Sequence, residues 1–346
     1  MRKFEGYQRG INLGGWLSQC VSYDKKHFDG FVTEDDIKKI ASFGLDHIRV
    51  PVDYDVFMKE EAGVDVVNEE GMSHIEDCIS WCRKYGLNMI LDLHKAKGYM
   101  FDVKAVSDAD LFFKDEILQE AFYETWEMFA ERFGKHKDML AFELLNEVVN
   151  PDFEQKWNEI AETAKSRVRA IVPDIYIIIG GVNYNNVFAV KGIKVPVDEK
   201  TVYNFHCYEP LCFTHQKAYW IDEMPADFEA SYPAPLEVMR QKSDEFSKDH
   251  AGAIYDKVLD ESGPFFDKLF RGAVEYAEEK NVPLYCGEYG VIDQAPAEDT
   301  VRWMKDIHDS FEKFGIGRAL WTYKNKDFGL VDDHYDNIRS EMIKLL

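Results

Sequence analysis

A chain of 346 residues that is 46% apolar is long enough for two average domains or one large α/β barrel, with ample material for a packed core. Its formal charge of −23, from 41 Lys and Arg against 64 Asp and Glu, disfavours nucleic acid or an anionic membrane surface as a partner and favours a neutral or cationic ligand. Residues 1–10, MRKFEGYQRG, hold no apolar signal core, and no later stretch approaches roughly 18 uninterrupted apolar residues. Neither an export signal nor a membrane span is therefore expected, which fits a cytoplasmic chain or a secreted one whose signal has been removed.

Strand-like runs recur along the chain, separated by helical patterns. They are GINLGGW (10–16), HIRVPVD (47–53), NMILDLH (88–94), MLAFELLNE (139–147), IYIIIGG (175–181), TVYNFHCYEP (201–210), VPLYCGEYG (282–290) and ALWTYKN (319–325). Their middles are continuous apolar stretches rather than strict alternations, as expected of parallel strands covered on both faces. Amphipathic segments at 33–43, 72–85, 116–133, 153–171, 265–280 and 298–314 read as helices, with Thr33 as an N-cap. Gly44, Gly86, Gly134 and Gly315, each just past a helical pattern, read as helix stops. Eight such units predict a (β/α)8 barrel, an α/β fold of usually about 250 residues before insertions.

Between the sixth and seventh strands lies more chain than one crossover helix needs. Residues 211–263, rich in aromatics and acids, are expected to form a subdomain inserted in a single catalytic domain spanning 1–346. Its aromatics, Phe213, Tyr219, Trp220, Phe228 and Tyr232, could either extend a cleft by stacking or form that subdomain's own core. Six cysteines, Cys20, Cys78, Cys82, Cys207, Cys212 and Cys286, lack a tight metal spacing and read as free, mostly buried thiols. Cys78 and Cys82 lie one helical turn apart, a conceivable two-thiol half-site that no second pair completes.

In such a barrel the carboxyl ends of the strands converge on one mouth. Polar residues there face one another, and this chain supplies Arg49, His94, Asn146, Glu147, His206, Tyr208, Glu288 and Trp321. Singly, each has a bland explanation: a strand-terminal Glu as a helix N-terminal anion, a His held in a structural hydrogen bond, an Arg neutralising Asp46 or Asp53, a Trp in the core. Jointly they are poorly explained as accidents, since all fall at the same end of their strands. Two carboxylates among sugar-bonding donors and a flat indole suit glycoside hydrolysis, in which one carboxyl protonates the leaving oxygen and the other attacks or activates water.

The motifs GINLGGW, HIRVP, DLH, ELLNE, NFHCY, GEYG and LWTY, in this order, resemble glycoside hydrolase family 5 over residues 10 to 325. Within it, GINLGGW, AFELLN, VYNFH and FTHQKA look most like the clostridial endoglucanase C type. The resemblance implies a (β/α)8 retaining glycosidase with Glu147 as general acid/base, Glu288 as nucleophile and Asn146 bonding the sugar 2-hydroxyl. It further implies that Arg49 and Tyr208 hold Glu288, that His206 lies beside the two carboxylates, and that His94 bonds a hydroxyl of the −1 sugar above the Trp321 platform. Relatives often carry a second histidine where this chain has Lys95, which puts the surroundings of His94 in question.

The chemistry itself asks the two glutamates to differ: burial and the Glu288 charge should raise the pKa of Glu147, while Arg49 and the Tyr208 phenol should lower that of Glu288. A retaining geometry would set the carboxyl groups about 5–5.5 Å apart. The expected substrate is a β-1,4-linked glucan, mixed-linkage glucan included, cut internally by a monomer without a cofactor, with neither nucleic acid nor membrane as a partner. The alternatives are another β-glycan (β-mannan, a β-1,3-glucan, or exo action on β-glucosides) and a carbohydrate-binding barrel without catalysis. A metal-dependent barrel hydrolase is disfavoured because the first strand carries no His-x-His pair.

Overall fold

The computed structural model describes residues 1–102, 108–246, 251–258 and 262–346. All eight strand-like runs contain strands of one sheet: β1 Arg9–Asn12, β2 His47–Asp53, β3 Asn88–Ala96, β4 Leu140–Glu143, β5 Tyr176–Gly180, β6 Thr201–Cys207, β7 Leu284–Tyr289 and β8 Gly317–Leu320. Each pairs in parallel with its sequence neighbours, β1 pairs with β8, and the ring is closed, so the fold is the expected (β/α)8 barrel. Strand residues are almost wholly buried, which is why their sequences are continuous in apolar character.

Around the barrel lie α1 Glu34–Ser42, α2 Glu69–Tyr85, α3 Glu116–Phe133, α4 Glu154–Ile171, α5 Phe265–Lys280 and α6 Ala297–Phe314. On α3 the buried residues Phe122, Trp126, Phe129 and Phe133 recur every three or four positions and face the sheet. Thr33 caps α1 in a box with Asp36, whose carboxylate accepts from the Thr33 N–H at 2.9 Å. Gly86 and Gly315 end their helices in left-handed backbone (φ 73° and 67°), and Gly44 follows α1 at φ 78°. Gly134 differs: its φ is −57°, and it is needed because a Cβ there would lie 2.2 Å from Val172 Cγ2.

Three helix tryptophans tie the outer ring to the mouth of the barrel. The indole N–H of Trp126 donates to the Leu144 carbonyl (3.0 Å), that of Trp157 to Gly180 (2.9 Å) and that of Trp303 to Glu209 (2.9 Å). These bonds catch carbonyls at the ends of β4, β5 and β6, where ladder pairing stops. The strand β4 accordingly ends at Glu143, four residues before the predicted limit, and Asn146 and Glu147 lie beyond it on irregular backbone anchored by the Asn146 N–H on the Leu93 carbonyl (3.0 Å).

Two segments depart from a simple βα repeat. After β5 a turn at Val182–Asn185 and a 3₁₀ helix at Val187–Gly192 replace a long helix, and Asn183, Tyr184 and Asn185 all have positive φ. The long connection after β6 carries short helices at Leu211–Thr214 and Leu236–Asp244 and a 3₁₀ helix at Ala251–Lys257; residues 247–250 and 259–261 of the predicted 211–263 insertion lie outside the described residues. Of its aromatics, Phe213, Phe228 and Tyr232 are buried, whereas Tyr219 is 81% and Trp220 39% exposed. Tyr232 fastens the segment to α6, its N–H on Asp299 (3.0 Å) and its hydroxyl on Asp306 (2.8 Å).

All six cysteines are free thiols, with Cys78 and Cys82 on the buried face of α2. Among the described residues no helix is long and apolar enough to cross a membrane.

At the opposite end of the barrel, His47 is wedged between Asp46 (2.6 Å) and the Tyr285 hydroxyl (2.8 Å), with Gly10 against its ring. A Cβ at Gly10 would sit 2.3 Å from His47 Nε2. Gly10→Ala should therefore lower stability by about 1–3 kcal/mol, while Gly30→Ala, in a helix with open space around it, should leave it unchanged or slightly higher; urea midpoints of the two variants check this.

Candidate active site

Arg49 on β2 has no exposed surface and sits where strands β1, β2, β3, β4 and β7 converge. Its Nε and Nη2 donate to the two oxygens of Glu143 (2.7 and 2.8 Å), and Nη1 donates to Glu288 Oε1 (2.7 Å) and Asn12 Oδ1 (2.9 Å). Nη2 also reaches Asn146 Oδ1 (3.0 Å) and Asp92 Oδ2 (3.0 Å). Neither Asp46 nor Asp53 is its partner, so the local-neutralisation explanation fails.

Two amides fix the acceptors around it. Asn12 Nδ2 donates to the Gly287, Ala319 and Leu320 carbonyls (2.9, 3.1 and 3.2 Å). Asn204 donates to Glu143 Oε1 (2.8 Å) and accepts the Gly287 N–H (2.9 Å).

Glu147 and Glu288 face each other across this cluster. One oxygen from each, together with a ring nitrogen of His206, all lie within 4.8 Å of one another. His206 Nδ1 is 2.7 Å from Glu147 Oε1 and 3.7 Å from Glu288 Oε2, and the Tyr208 hydroxyl donates to Glu288 Oε2 at 2.9 Å. This trio is the one grouping among the described residues with metal-ligand spacing. Arg49 and Tyr208 already donate to both oxygens of Glu288, so its donor set suits a hydrogen-bonded acid pair better than a cation.

Burial and the neighbouring Glu288 charge push the Glu147 carboxyl well above the usual range. Glu288 was expected to be lowered by its cation. Burial outweighs the Arg49 guanidinium, His94 and the Tyr208 donor, and its carboxyl too is raised, though less than that of Glu147. The ordering between the pair is as the chemistry requires; the sign for Glu288 is not. Burial also brings Asp92 up to about 7 and His94 down to about 4, and it depresses His206, assisted by Arg49 and His94.

On the other flank, His94 Nδ1 is 2.7 Å from Asp92 Oδ2, and its ring lies parallel to the Trp321 indole, with centroids 5.8 Å apart and planes 8° from parallel. Gly14 admits the indole, since a Cβ there would lie 2.7 Å from Trp321 Cη2. Lys95, in place of a second histidine, pairs with Asp55 and leaves His94 to Asp92 and the Gln19 amide (3.3 Å). All eight residues singled out in the sequence are thus brought to one mouth. Asn12, Asp92, Glu143 and Asn204 were missed, because each is a polar residue inside an apolar run rather than at its end, where Glu147 was found.

Residues 8–327 match the family model for cellulase, glycosyl hydrolase family 5. The chain is 41% identical to cellodextrinase A of Ruminococcus flavefaciens over 93% of its length and 88% of that protein. It is 37% identical to endoglucanase C of Acetivibrio thermocellus over 98% of both. Among solved structures, endoglucanase Cel5A of Thermotoga maritima superposes with a TM-score of 0.76 at 21% identity, covering 98% of this chain and 96% of that one.

The raised pKa of Glu147 has a consequence for stability. Below the unfolded value both states hold the proton; above it the unfolded chain ionises while the folded one does not, so this contribution to stability is lost as pH rises through the folded value. Glu147→Gln, which keeps an acceptor for His206, should therefore be at least as stable as the unaltered chain at pH 7 to 8, with the difference vanishing toward pH 4; calorimetric melting across that range checks the sign.

Proposed function

This chain belongs to glycosyl hydrolase family 5, and on that footing we propose that it is a retaining glycoside hydrolase cleaving internal β-1,4 bonds of β-glucans, mixed-linkage glucan included. The observation that carries the reading is the close pair Glu147 and Glu288 in unlike surroundings. Oxygens within 4.8 Å support the shorter retaining separation of about 5–5.5 Å between carboxyl groups over the inverting one of about 6.5–9.5 Å, which must admit a water.

In the first step a Glu288 oxygen attacks the anomeric carbon, the glycosidic C–O bond breaks, and Glu147 delivers its proton to the departing oxygen. In the second, Glu147 takes a proton from water, the hydroxide attacks the same carbon, and the ester to Glu288 breaks. Arg49 and Tyr208 orient the nucleophile, Trp321 forms the floor for the −1 sugar and Asn146 bonds its hydroxyls, while His94, with Nδ1 on Asp92 and Nε2 on the Gln19 amide, flanks the Trp321 floor. Residues 1–346 act as one catalytic domain and a monomer, since the described residues complete the site within one chain. The described part of the 211–263 insertion packs Phe213, Phe228 and Tyr232 into the same hydrophobic core as the barrel and presents Tyr219 and Trp220 to the polymer.

The names of the relatives, endoglucanase C and cellodextrinase A, support a β-1,4-glucan. The second name favours one variant reading, action mainly on short soluble oligomers; product sizes from barley β-glucan against cellohexaose separate it from endo cleavage of polymer.

Glu147→Gln and Glu288→Gln should each lower reducing-end release from β-glucan by about a thousandfold or more. Glu147→Gln should retain far more activity on an aryl glycoside whose leaving group needs no proton. Initial products of β configuration by proton NMR are expected, and α products would exclude double displacement. Replacing Tyr219 and Trp220 together by Ala should raise KM for polymer about tenfold and leave an aryl cellobioside unaffected; equal loss on both substrates would deny them a polymer-binding role.

A further inference from the structure

Each of the two histidines at the mouth has one ring nitrogen on an acid and the other on a side-chain amide. His94 Nδ1 meets Asp92 Oδ2 (2.7 Å) and its Nε2 meets Gln19 Nε2 (3.3 Å). His206 Nδ1 meets Glu147 Oε1 (2.7 Å) and its Nε2 meets Asn185 Nδ2 (3.5 Å). Both amide-bearing residues stand in left-handed backbone that a non-glycine residue rarely adopts, Gln19 at φ 53° and Asn185 at φ 52°. Room for the second is built in: a Cβ at Gly180 would fall 2.2 Å from Asn185 Oδ1, and one at Gly287 would fall 3.0 Å from His206 Nε2.

We propose that Gln19 and Asn185 are positioning residues that lock His94 and His206 as the Nδ1–H tautomers, so that each ring donates to its acid and never takes the acid's proton. A neutral imidazole has one N–H and one lone pair. Asp92 Oδ2 is ion-paired with Arg49 Nη2 at 3.0 Å, and the guanidinium charge favours a bare oxygen there, which faces His94 Nδ1 as an acceptor. The bare Nε2 must then face a donor, and the amide NH2 is that donor.

The same wiring at His206 gives Glu147 Oε1 a hydrogen bond it accepts in both protonation states, leaving the acid proton on Oε2. With the opposite tautomer, the Nδ1 lone pair would hold the Glu147 proton and withhold it from the substrate. Burial, which depresses both rings, keeps them neutral and so keeps this choice meaningful. The inference rests on Glu147 being the general acid only for its pH effect; the tautomers themselves do not depend on that reading.

The groups that face Glu147 are Glu288, Arg49, Asp92, Glu143, His206 and the Tyr99 and Tyr208 hydroxyls; those that face His206 are Arg49, His94, Glu147 and Glu288. Asn185→Leu removes the donor, lets the proton move to Nε2 and turns the Nδ1 lone pair on Glu147. The protonated acid is thereby favoured, and the basic limb of kcat/KM against pH should move up by about one unit while kcat falls. A residue that merely supports the turn would lower kcat without moving that limb.

Nitrogen-15 NMR of the histidine rings in the full chain tests the lock directly. The unaltered protein should show His94 and His206 as Nδ1–H, and Gln19→Leu and Asn185→Leu should each shift the ring they touch toward Nε2–H. An Nε2–H signature for either ring in the unaltered protein, or no tautomer change in variants that remain folded, would overturn the proposal. These spectra stand even if Glu147→Gln proves active, an outcome that would instead remove the proposed catalytic role of Glu147.

Discussion

One buried guanidinium holds the mouth of this barrel together. Arg49 takes acceptors from β1 (Asn12), β3 (Asp92), β4 (Glu143), β7 (Glu288) and the segment after β4 (Asn146), so the ends of five strands, its own included, are registered on a single planar donor. A guanidinium does not shed its proton under any relevant condition, so the proton balance of the site falls on the acids around it. Four carboxylates, Asp92, Glu143, Glu147 and Glu288, lie buried around this one cation, three of them paired with it. Full ionisation would leave most of their charge uncompensated, and all four are raised. The same cation opposes protonation of His206 and His94, which burial already disfavours, and both rings are consequently neutral donors rather than cations.

What separates the two facing glutamates is the number and kind of donors each receives. Glu288 accepts from a cation and a phenol on its two oxygens, and both favour the ionised form. Glu147 accepts from one neutral imidazole and lies within reach of the Glu288 charge. Burial raises both, and the difference in donors decides which is raised further. An isolated cation–carboxylate pair was too simple an expectation for Glu288, because the guanidinium is divided among three acids and its lowering effect is diluted.

Much of this was legible in the sequence because a parallel barrel writes strand ends plainly: an apolar run stops, and the polar residue that stops it points into the mouth. Helix α3 falls at residues 116–133 as predicted, since Asp115 caps it and its apolar residues keep a helical period. Polar residues inside the apolar runs were harder to see, Asn12 and Glu143 because the runs extend past the strands they close. Glu143, Asp92, Asn12 and Asn204 are embedded in apolar runs, and a criterion based on strand ends passes over them. The left-handed residues Gln19 and Asn183–Asn185 were invisible for another reason: Asn tolerates that conformation without declaring it, and Gln gives no local signal at all. Gly134 does end α3 as expected, but for close packing on Val172 rather than for left-handed backbone, two demands that select the same residue.

The arrangement also carries its own switch for the proposed cycle. After burial, the Glu288 charge is the largest influence holding Glu147 in its protonated form. Once Glu288 becomes an ester that charge is gone, while Arg49, which favours an ionised Glu147, remains in place with Glu143 and Asp92 still bound to it. The pKa of Glu147 must then fall, at the moment its proton has left with the departing sugar, and the group is prepared to take a proton from water. Hydrolysis of the ester restores the Glu288 charge and raises Glu147 again. No conformational change is needed for this alternation, because the two carboxyl groups are near enough for the ionisation of one to set that of the other. In the proposed cycle proximity thus does two jobs: it places Glu288 against the sugar that Glu147 protonates, and it makes the chemical state of one group the control for the next.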